Sequence, residues 1–396
     1  MIVKGVQTKY MKIATMVRGF LPAPAPSDVA YSPISIAISV AEGLAAKGHS
    51  VTFFGPEGTD LETEVETLGV RPLVKNDQDF NELVSTVDLF QHYLPSLYDQ
   101  YMVKEMFERA AKGEFDVLLF HHPESSMGYA SLYPTVSVVY ILHDYLDEKR
   151  KEVIEMHQSP NQHYVSISDS QRRDAPDLPY IATVYNGIDT ELFSYCDKAE
   201  DYLVYAGRIA PQKGVREAVQ VAIRTDKRLL IIGHLPHTYQ WYFDEHIKPY
   251  LSDRILYLGM IDKVQLAKYY QKAQALLMPI QWEEPFGLTM AEAMSCGTPV
   301  VAFRRGSVPE VIKDGKTGFI VDSTATMVEA IEKITTINRK DCRTHVEQNF
   351  TVDHMVSGYE QVLESLTTKP IKLTPEQSKF IKKMKILSEK LAEKLR

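Results

Sequence analysis

One stretch of this 396-residue chain, Trp282 to Pro299, has residue types and a spacing that suit the binding of an anion and of hydroxyl groups. Gly287 lets the backbone approach a ligand closely, and Leu288 to Cys296 consists of good helix formers. The free amides at the start of that helix predict an anion site. Glu284 precedes the helix and Glu292 follows about two turns later, so both carboxylates can reach the same side of a cleft. They can accept hydrogen bonds from the hydroxyls of a sugar and of a ribose, although a helix cap with a solvated Glu explains the stretch equally well when it stands alone.

The elements that position these residues follow an alternating pattern of short apolar, β-branched runs and longer helical segments, which is typical of βαβ units on a parallel sheet. The first series predicts seven strands, at Ile13–Val17, Val51–Phe54, Val70–Val74, Val117–Phe120, Val136–Leu142, His163–Ile167 and Ile181–Tyr185. The second series predicts six strands, at Tyr202–Tyr205, Leu229–Ile232, Ile255–Leu258, Ala275–Met278, Val300–Phe303 and Phe319–Val321. Thirteen strands would strain the size limit of one open twisted sheet. The sequence therefore predicts an α/β fold of two doubly wound, Rossmann-like domains that face each other across a cleft, with the joint near residues 187 to 200.

Composition excludes several classes of protein. The net charge of −8 argues against nucleic acid as a main partner, because phosphate binding needs a basic surface. Three widely spaced cysteines give neither a disulfide framework nor a zinc site, which favours a reducing cytoplasm. The sequence also shows no signal-peptide pattern and no apolar run long enough to span a membrane.

Several motifs, taken in order, resemble those of the family 4 glycosyltransferases, which are retaining enzymes of the GT-B fold that use nucleotide-activated sugars. The strongest is Glu-Pro-Phe-Gly-Leu-x3-Glu-Ala-Met from Glu284 onward, the Glu-x7-Glu pattern of that family. The others are Ala46-Lys47-Gly48-His49, Val184-Tyr185-Asn186-Gly187-Ile188-Asp189, Tyr205-Ala206-Gly207-Arg208-x4-Lys213-Gly214, Arg304-Arg305-Gly306-Ser307-Val308-Pro309-Glu310 and Asp314-Gly315-x-Thr317-Gly318. The resemblance implies an acceptor-side domain over residues 1–190 and a nucleotide-sugar-binding domain over 191–350. It also implies C-terminal helices over 351–396, the first of which crosses back to the first domain.

The same resemblance implies a role for each site residue. Arg208 and Lys213 would hold the donor diphosphate, Glu284 the sugar hydroxyls and Glu292 the ribose. The backbone of Phe286, Gly287 and Leu288 would contact the sugar or phosphate, and His143 would approach the reactive carbon. Gly19 would bring backbone to the phosphate, although its loop lacks the Gly-Gly pair of the family and the Lys-x-Gly-Gly of starch synthases, which argues against polymer elongation. The residues implied in catalysis are His143, Glu284, Arg208 and Lys213.

The expected activity is the transfer of a sugar, with retention, from a nucleoside diphosphate donor, with UDP favoured, to a hydroxyl on a glycan, lipid or small molecule. No cofactor or metal is expected. Two alternatives stay open: a nucleotide-sugar epimerase of the same fold, and a non-catalytic nucleotide-sugar-binding protein.

Three further segments carry weaker patterns. Asp77-Gln78-Asp79 formally matches a metal-binding Asp-x-Asp, but it lies in a polar connection. His121-His122-Pro123-Glu124 ends a strand and could touch either substrate. Residues 374–396 predict an amphipathic helix with its apolar stripe at Phe380, Met384, Leu387, Leu391 and Leu395. Residues 372–396 carry a net charge of +5, so the stripe could pack on the acidic body of the protein, on a second copy or another protein, or on an anionic membrane surface.

Overall fold

The computed structural model describes residues 10–29 and 31–367, together with Lys379 and Lys383. The described chain contains two parallel β-sheets, one of seven strands and one of six. With the strands numbered along the chain, the first sheet has the spatial order 3-2-1-4-5-6-7 and the second has the order 10-9-8-11-12-13. Helices connect the strands of each sheet. The predicted fold class, two doubly wound Rossmann-like sheets, is therefore confirmed.

The strands of the first sheet are β1 (Lys12–Met16), β2 (Ser50–Phe54), β3 (Glu64–Glu66), β4 (Val117–Phe120), β5 (Ser137–Leu142), β6 (Gln162–Ser166) and β7 (Tyr180–Thr183). Those of the second are β8 (Tyr202–Ala206), β9 (Arg228–Ile232), β10 (Ile255–Gly259), β11 (Ala275–Met278), β12 (Val300–Phe303) and β13 (Gly318–Val321). The helices up to the joint are α1 (Ser32–Ala46), α2 (Asp77–Ser85), α3 (Leu89–Ala111), α4 (Met127–Ala130) and α5 (Glu148–Met156). Those that follow are α6 (Val215–Thr225), α7 (Gln240–His246), α8 (Lys263–Lys272), α9 (Leu288–Ser295), α10 (Val308–Val311), α11 (Thr324–Glu332), α12 (Arg339–Asn349) and α13 (Val352–Thr367).

The central strands are buried on both faces because helices cover each side of the sheet. In β4 all four residues are buried; Val117 and Leu119 join the core that contains α1, whereas Leu118 and Phe120 join the core that contains α3. This explains why the central strands read as continuous apolar runs rather than as alternating ones.

One predicted strand is wrong. The run Val70–Val74 is not a strand. The sheet instead contains β3 (Glu64–Glu66), which pairs with β2 at the edge of the sheet. Pro72 lies inside the predicted run, and proline has no N–H for a ladder. The Leu73 N–H instead bonds to the Phe20 carbonyl at 3.0 Å, which ties the segment to the loop after β1. The other twelve predicted runs coincide with strands to within one or two residues.

The end of the described chain returns to the first sheet. The Ile188 N–H bonds to the Phe350 carbonyl at 2.7 Å just before α13, and α13 packs along α1. Glu360 on α13 accepts from Lys47 at 3.0 Å at the end of α1. The exact domain limits stay a prediction. Among the described residues no helix has the length and apolar character needed to cross a membrane, and the amphipathic helix predicted from Thr374 lies outside them apart from Lys379 and Lys383.

Candidate active site

The candidate site is built from loops at the carboxyl edges of both sheets, where open α/β folds bind ligands. In the first sheet β1, β4 and β5 are neighbours, so the residues that follow them lie side by side. In the second sheet β8 and β11 are neighbours, which brings the segment after Ala206 next to the segment after Met278.

Lys213 and Glu284 meet at this edge of the second sheet. Lys213 Nζ lies 2.7 Å from Glu284 Oε2, and the Trp282 indole N–H donates to the same oxygen at 3.0 Å. The ammonium also lies 4.6 Å from the centre of the Trp282 ring. Both charged side chains are mostly shielded from solvent, with exposures of 21% and 11%. Each charge therefore neutralises the other. A substrate that binds to either side chain would have to form its contacts in addition to this ion pair or in place of it.

The loop that carries Glu284 is held by a second loop. Gly306 N–H donates to a Glu283 carboxylate oxygen at 2.6 Å, and Ser307 N–H donates to the Glu284 carbonyl at 2.9 Å. Gly306 has φ +54°, and a Cβ there would lie 2.2 Å from the Glu284 carbonyl oxygen. The position therefore requires glycine. In the sequence this glycine belongs to the Arg304 to Glu310 motif, and the Gly-Ser pair is the signal that marks it.

Helix α9 starts beside this loop at Gly287, whose φ of +79° makes it the left-handed N-cap. No side chain caps the helix among the described residues. The Met290 N–H donates to the Gly287 carbonyl at 3.0 Å, and the amides before it keep their hydrogen-bonding capacity for a ligand. Phe286 is 1% exposed and packs against Tyr185 and Phe350. Its side chain therefore belongs to the core, and only its backbone is available to the site.

Glu292, about one turn into α9, is 9% exposed. Its carboxylate accepts from the Tyr270 hydroxyl at 3.4 Å, a long contact. Burial raises the pKa of Glu292, and the positive charge of Lys263 partly offsets that rise. Glu292 is thus a buried carboxylate with spare acceptor capacity.

Arg208 follows β8 and its side chain is exposed. Its carbonyl accepts from the Tyr205 hydroxyl at 3.1 Å, which fixes the backbone of this turn. Between residues 10 and 367, as far as the structure describes them, no carboxylate lies within ion-pair distance of its guanidinium. Arg208 is therefore a cation at the cleft that has no anionic partner in the part of the chain that the structure describes.

In the first domain, Gly19 does not offer a free amide. Its N–H donates to Asp99 Oδ1 at 2.6 Å, and Arg18 Nε lies 2.9 Å from Asp99 Oδ2. Asp99 is 1% exposed, and burial raises its pKa to about 6 although Arg18 opposes the rise. This carboxylate, which the sequence analysis missed, fixes the loop after β1 from a position 80 residues away along the chain.

Three histidines stand on the ends of β4 and β5. His121 Nδ1 lies 2.9 Å from His143 Nε2, and Arg18 donates to His122 Nε2 at 3.0 Å. Burial lowers the pKa of His143 to about 4, that of His122 to about 3 and that of His121 well below its usual range. All three rings are therefore neutral at physiological pH.

The residues of the Asp-x-Asp match lie in the first turn of α2. Asp79 accepts from the Lys75 N–H at 2.8 Å and Asp77 from the Asn81 side chain at 2.8 Å. These contacts are those of a helix start. In the part of the chain that the structure describes, no group of three or more potential metal ligands comes together.

The two domains meet beside Glu284. Glu310 accepts from the N–H groups of Asp169 and Ser170 at 2.8 and 2.7 Å and from the Tyr185 hydroxyl at 3.0 Å. A cavity of about 100 Å³ adjoins this contact and is lined from both domains, including Ser170 and Glu284. The candidate site therefore lies at the domain junction.

Comparisons with known proteins agree with this architecture. Residues 194–349 match the family model described as glycosyl transferases group 1. N-acetyl-alpha-D-glucosaminyl L-malate synthase of Bacillus anthracis is 26% identical over 360 residues, which is 81% of this chain and 90% of the relative.

Solved structures are similar over nearly the whole described chain. Sucrose-phosphate synthase from Thermosynechococcus elongatus has a TM-score of 0.72 and 18% identity, covering 90% of this chain and 99% of its own. Anabaena HepE in complex with UDP and glucose has a TM-score of 0.66 and 17% identity, covering 91% of this chain and 100% of its own. At such identities the similarity shows the fold. Residues 194–349 thus match the glycosyl transferases group 1 model, within a chain that has the GT-B fold.

Proposed function

We propose that this protein is a retaining glycosyltransferase that moves a hexosyl group from a UDP-sugar to a hydroxyl acceptor without a metal ion. The observation that carries the proposal is the contact between Lys213 and Glu284 at the start of α9. Arg208 follows the neighbouring strand β8 and has no carboxylate partner among the described residues. A cation pair and a helix start suit a diphosphate, and the adjacent carboxylate suits sugar hydroxyls. The names of similar proteins support this: a GlcNAc-malate synthase, and a neighbour solved with UDP and glucose.

In this proposal the donor lies along the second domain. Arg208 and Lys213 bind the diphosphate and offset the negative charge that grows on the leaving phosphate. Glu284 then binds sugar hydroxyls and Glu292 binds the ribose. The acceptor hydroxyl attacks from the face that the phosphate leaves, and the phosphate takes its proton, so no protein nucleophile is needed. His143 lies on the first-domain side of the reacting carbon.

The test uses the full chain and a panel of UDP-, GDP- and ADP-linked sugars. Thermal unfolding identifies the donor, since a ligand at 100 times its Kd stabilises by about 2.7 kcal/mol. Product analysis with an acceptor library, by NMR of the anomeric centre, then determines the stereochemistry. We expect a UDP-sugar to bind, the product to keep the anomeric configuration of the donor, and the rate to survive EDTA.

Other outcomes identify the two alternatives. An altered nucleotide sugar formed without acceptor would identify an epimerase. Donor binding without any turnover would identify a binding protein. Loss of activity with EDTA and recovery with manganese would overturn the metal-independent mechanism.

A further inference from the structure

The rings of His121 and His143 lie edge to edge where β4 and β5 end. The bonded nitrogens are 2.9 Å apart, the ring planes differ by 10° and the centroids are 5.2 Å apart. The centroid separation exceeds the nitrogen separation by roughly the two ring radii, so the rings share nearly one plane. A proton between the two nitrogens then lies along both lone-pair directions, which is the favourable geometry for a hydrogen bond.

We propose that His121 is a positioning residue that fixes the tautomer of His143, so that His143 presents Nδ1–H as a hydrogen-bond donor to the sugar of the donor substrate. The inference rests on the proposed glycosyl transfer for its functional part. The hydrogen bond and the tautomer do not depend on it.

The positions of the protons follow from the partners of each nitrogen. Both rings are neutral because burial lowers their pKa values, so each ring carries one proton. If His143 donated from Nε2, His121 would accept at Nδ1 and carry its own proton on Nε2. That nitrogen is buried and has no hydrogen-bond partner among the described residues. A buried N–H without an acceptor is costly and rarer than an unsatisfied acceptor. His121 therefore donates from Nδ1, and His143 keeps its proton on Nδ1.

This arrangement gives His143 a defined chemical property. Its Nε2 lone pair is engaged by His121, so the ring cannot use that atom as a base. The free edge of the ring carries an N–H, which can donate to a sugar hydroxyl or to the leaving oxygen. His121 itself is 2% exposed, so a substrate cannot reach its ring. It therefore acts through its hydrogen bond to His143.

The first experiment reads the tautomer directly. Two-bond ¹⁵N–¹H spectra are recorded on the full chain labelled with [¹⁵N]histidine, and the His143 signals are identified by their loss in His143→Gln. We expect Nδ1 to be protonated and Nε2 to accept a hydrogen bond. In His121→Phe we expect the ring to shift toward the Nε2–H tautomer. A wild-type His143 protonated at Nε2, or a tautomer unchanged in His121→Phe, would overturn the proposal.

The second experiment separates positioning from packing. His121→Asn places an amide N–H near the position of the lost Nδ1–H, whereas His121→Phe fills the space without a donor. We expect His121→Phe to lower kcat by about 10- to 100-fold, the range seen when the partner that orients a metal-bound histidine is removed, and to leave the donor KM unchanged. The Asn variant should keep most of kcat.

The control is His163→Asn on β6, which should change neither readout. Equal losses of kcat in His121→Asn and His121→Phe would show a packing role only and would overturn the proposal. If the wild-type chain transfers no sugar, the proposed function is wrong. The tautomer experiment still tests the hydrogen bond between His121 and His143, because it does not depend on activity.

Discussion

Charge in the cleft is distributed unevenly among the cationic side chains. Lys213 is already neutralised by Glu284 at 2.7 Å, whereas Arg208 has no anionic partner in the described chain. The Arg208 guanidinium can turn toward an arriving phosphate without breaking an ion pair to any described residue, whereas Lys213 must first leave Glu284. Arg208 should therefore contribute more to the transition state than Lys213 does alone.

Arg208→Ala should lower kcat by about 100-fold or more, because the growing charge on the leaving phosphate loses a fixed counter-charge. Steady-state kinetics with the identified donor measures this loss. Arg224→Ala, which removes an exposed arginine at the end of α6, is the matched control and should behave as the wild type. Unchanged turnover in the Arg208 variant would refute its assignment to the diphosphate.

Glu292→Ala should weaken donor binding by about 1.5 to 3 kcal/mol, the range for a hydrogen bond to a charged group. The reason is that Glu292 is buried and, among the described residues, its carboxylate has a single long hydrogen bond, so it has acceptor capacity for ribose hydroxyls. Isothermal titration with the donor measures the change. Glu329→Ala on α11 removes an exposed glutamate and serves as the control. Equal donor affinity in both variants would contradict the ribose assignment.

Asp99 should make stability fall as the pH rises from about 4 to about 6. Its pKa in the folded chain is about 6, above the ordinary value of about 3.9, because burial disfavours the charged form. In this window the folded chain keeps a proton that the unfolded chain has lost, so the free energy of unfolding decreases by up to roughly 3 kcal/mol. Denaturant unfolding of wild type and of Asp99→Asn across pH 4 to 7 isolates the contribution. A difference between the two proteins that does not vary with pH would be evidence against it.

The loops that connect the strands and helices at the site are held in place by contacts with distant parts of the chain. The segment before α9 is tied to Gly306 and Ser307, and the start of the short helix Ser170–Arg172 is tied to Glu310 across the domain junction. The Glu310 bonds link the two carboxyl edges that form the cleft, because Asp169 and Ser170 follow β6 and Glu310 follows β12. They therefore couple the shape of the site to the relative placement of the domains.

Glu310→Ala should loosen the junction, because two N–H groups and the Tyr185 hydroxyl lose their shared acceptor. We expect a loss of about 1.5 to 3 kcal/mol for each charge-assisted bond that solvent does not replace. A lower unfolding midpoint and a larger radius of gyration in small-angle scattering would register the change. Glu310→Gln keeps one acceptor oxygen, so its unfolding midpoint and radius of gyration should lie between those of the wild type and of Glu310→Ala. Identical scattering and midpoints for all three proteins would exclude a clamping role.

The sequence predicts the elements better than it predicts the contacts between them. Buried parallel strands such as β4 are continuous apolar runs, so their positions follow from local pattern. The edge strand Glu64–Glu66 is short and polar and carries no such pattern, so the apolar run Val70–Val74 nearby gives the stronger strand signal.

Within the site, the same limit applies. The meeting of Lys213 and Glu284 follows from neighbouring strand ends. The contact of Gly19 with Asp99 joins residues 80 apart and that of Glu310 with Asp169 joins residues 141 apart. Neither contact leaves a periodic signal in the sequence, because it depends on how whole helices and domains pack.

For the molecule as a whole, charge is segregated along the chain. The net charge is −8, whereas residues 372–396 carry +5, so the rest of the chain carries −13. This asymmetry favours packing of the basic segment on the acidic body, although salt screens such attraction beyond about 10 Å. The described groups of the candidate site all lie between Arg18 and Glu310, well before that segment.

Deletion of residues 372–396 should therefore leave donor affinity unchanged while lowering stability. Five large apolar side chains along one stripe would each contribute about 1.5 to 3 kcal/mol if buried on the body. Calorimetric titration with the donor and thermal unfolding of the full and shortened chains measure the two effects separately. A tenfold loss of donor affinity, about 1.4 kcal/mol, would show that the segment shapes the cleft. Binding of the full chain, but not of the shortened one, to anionic vesicles at low salt would place the stripe on a membrane surface instead, because only that interaction needs both the basic face and lipid charge.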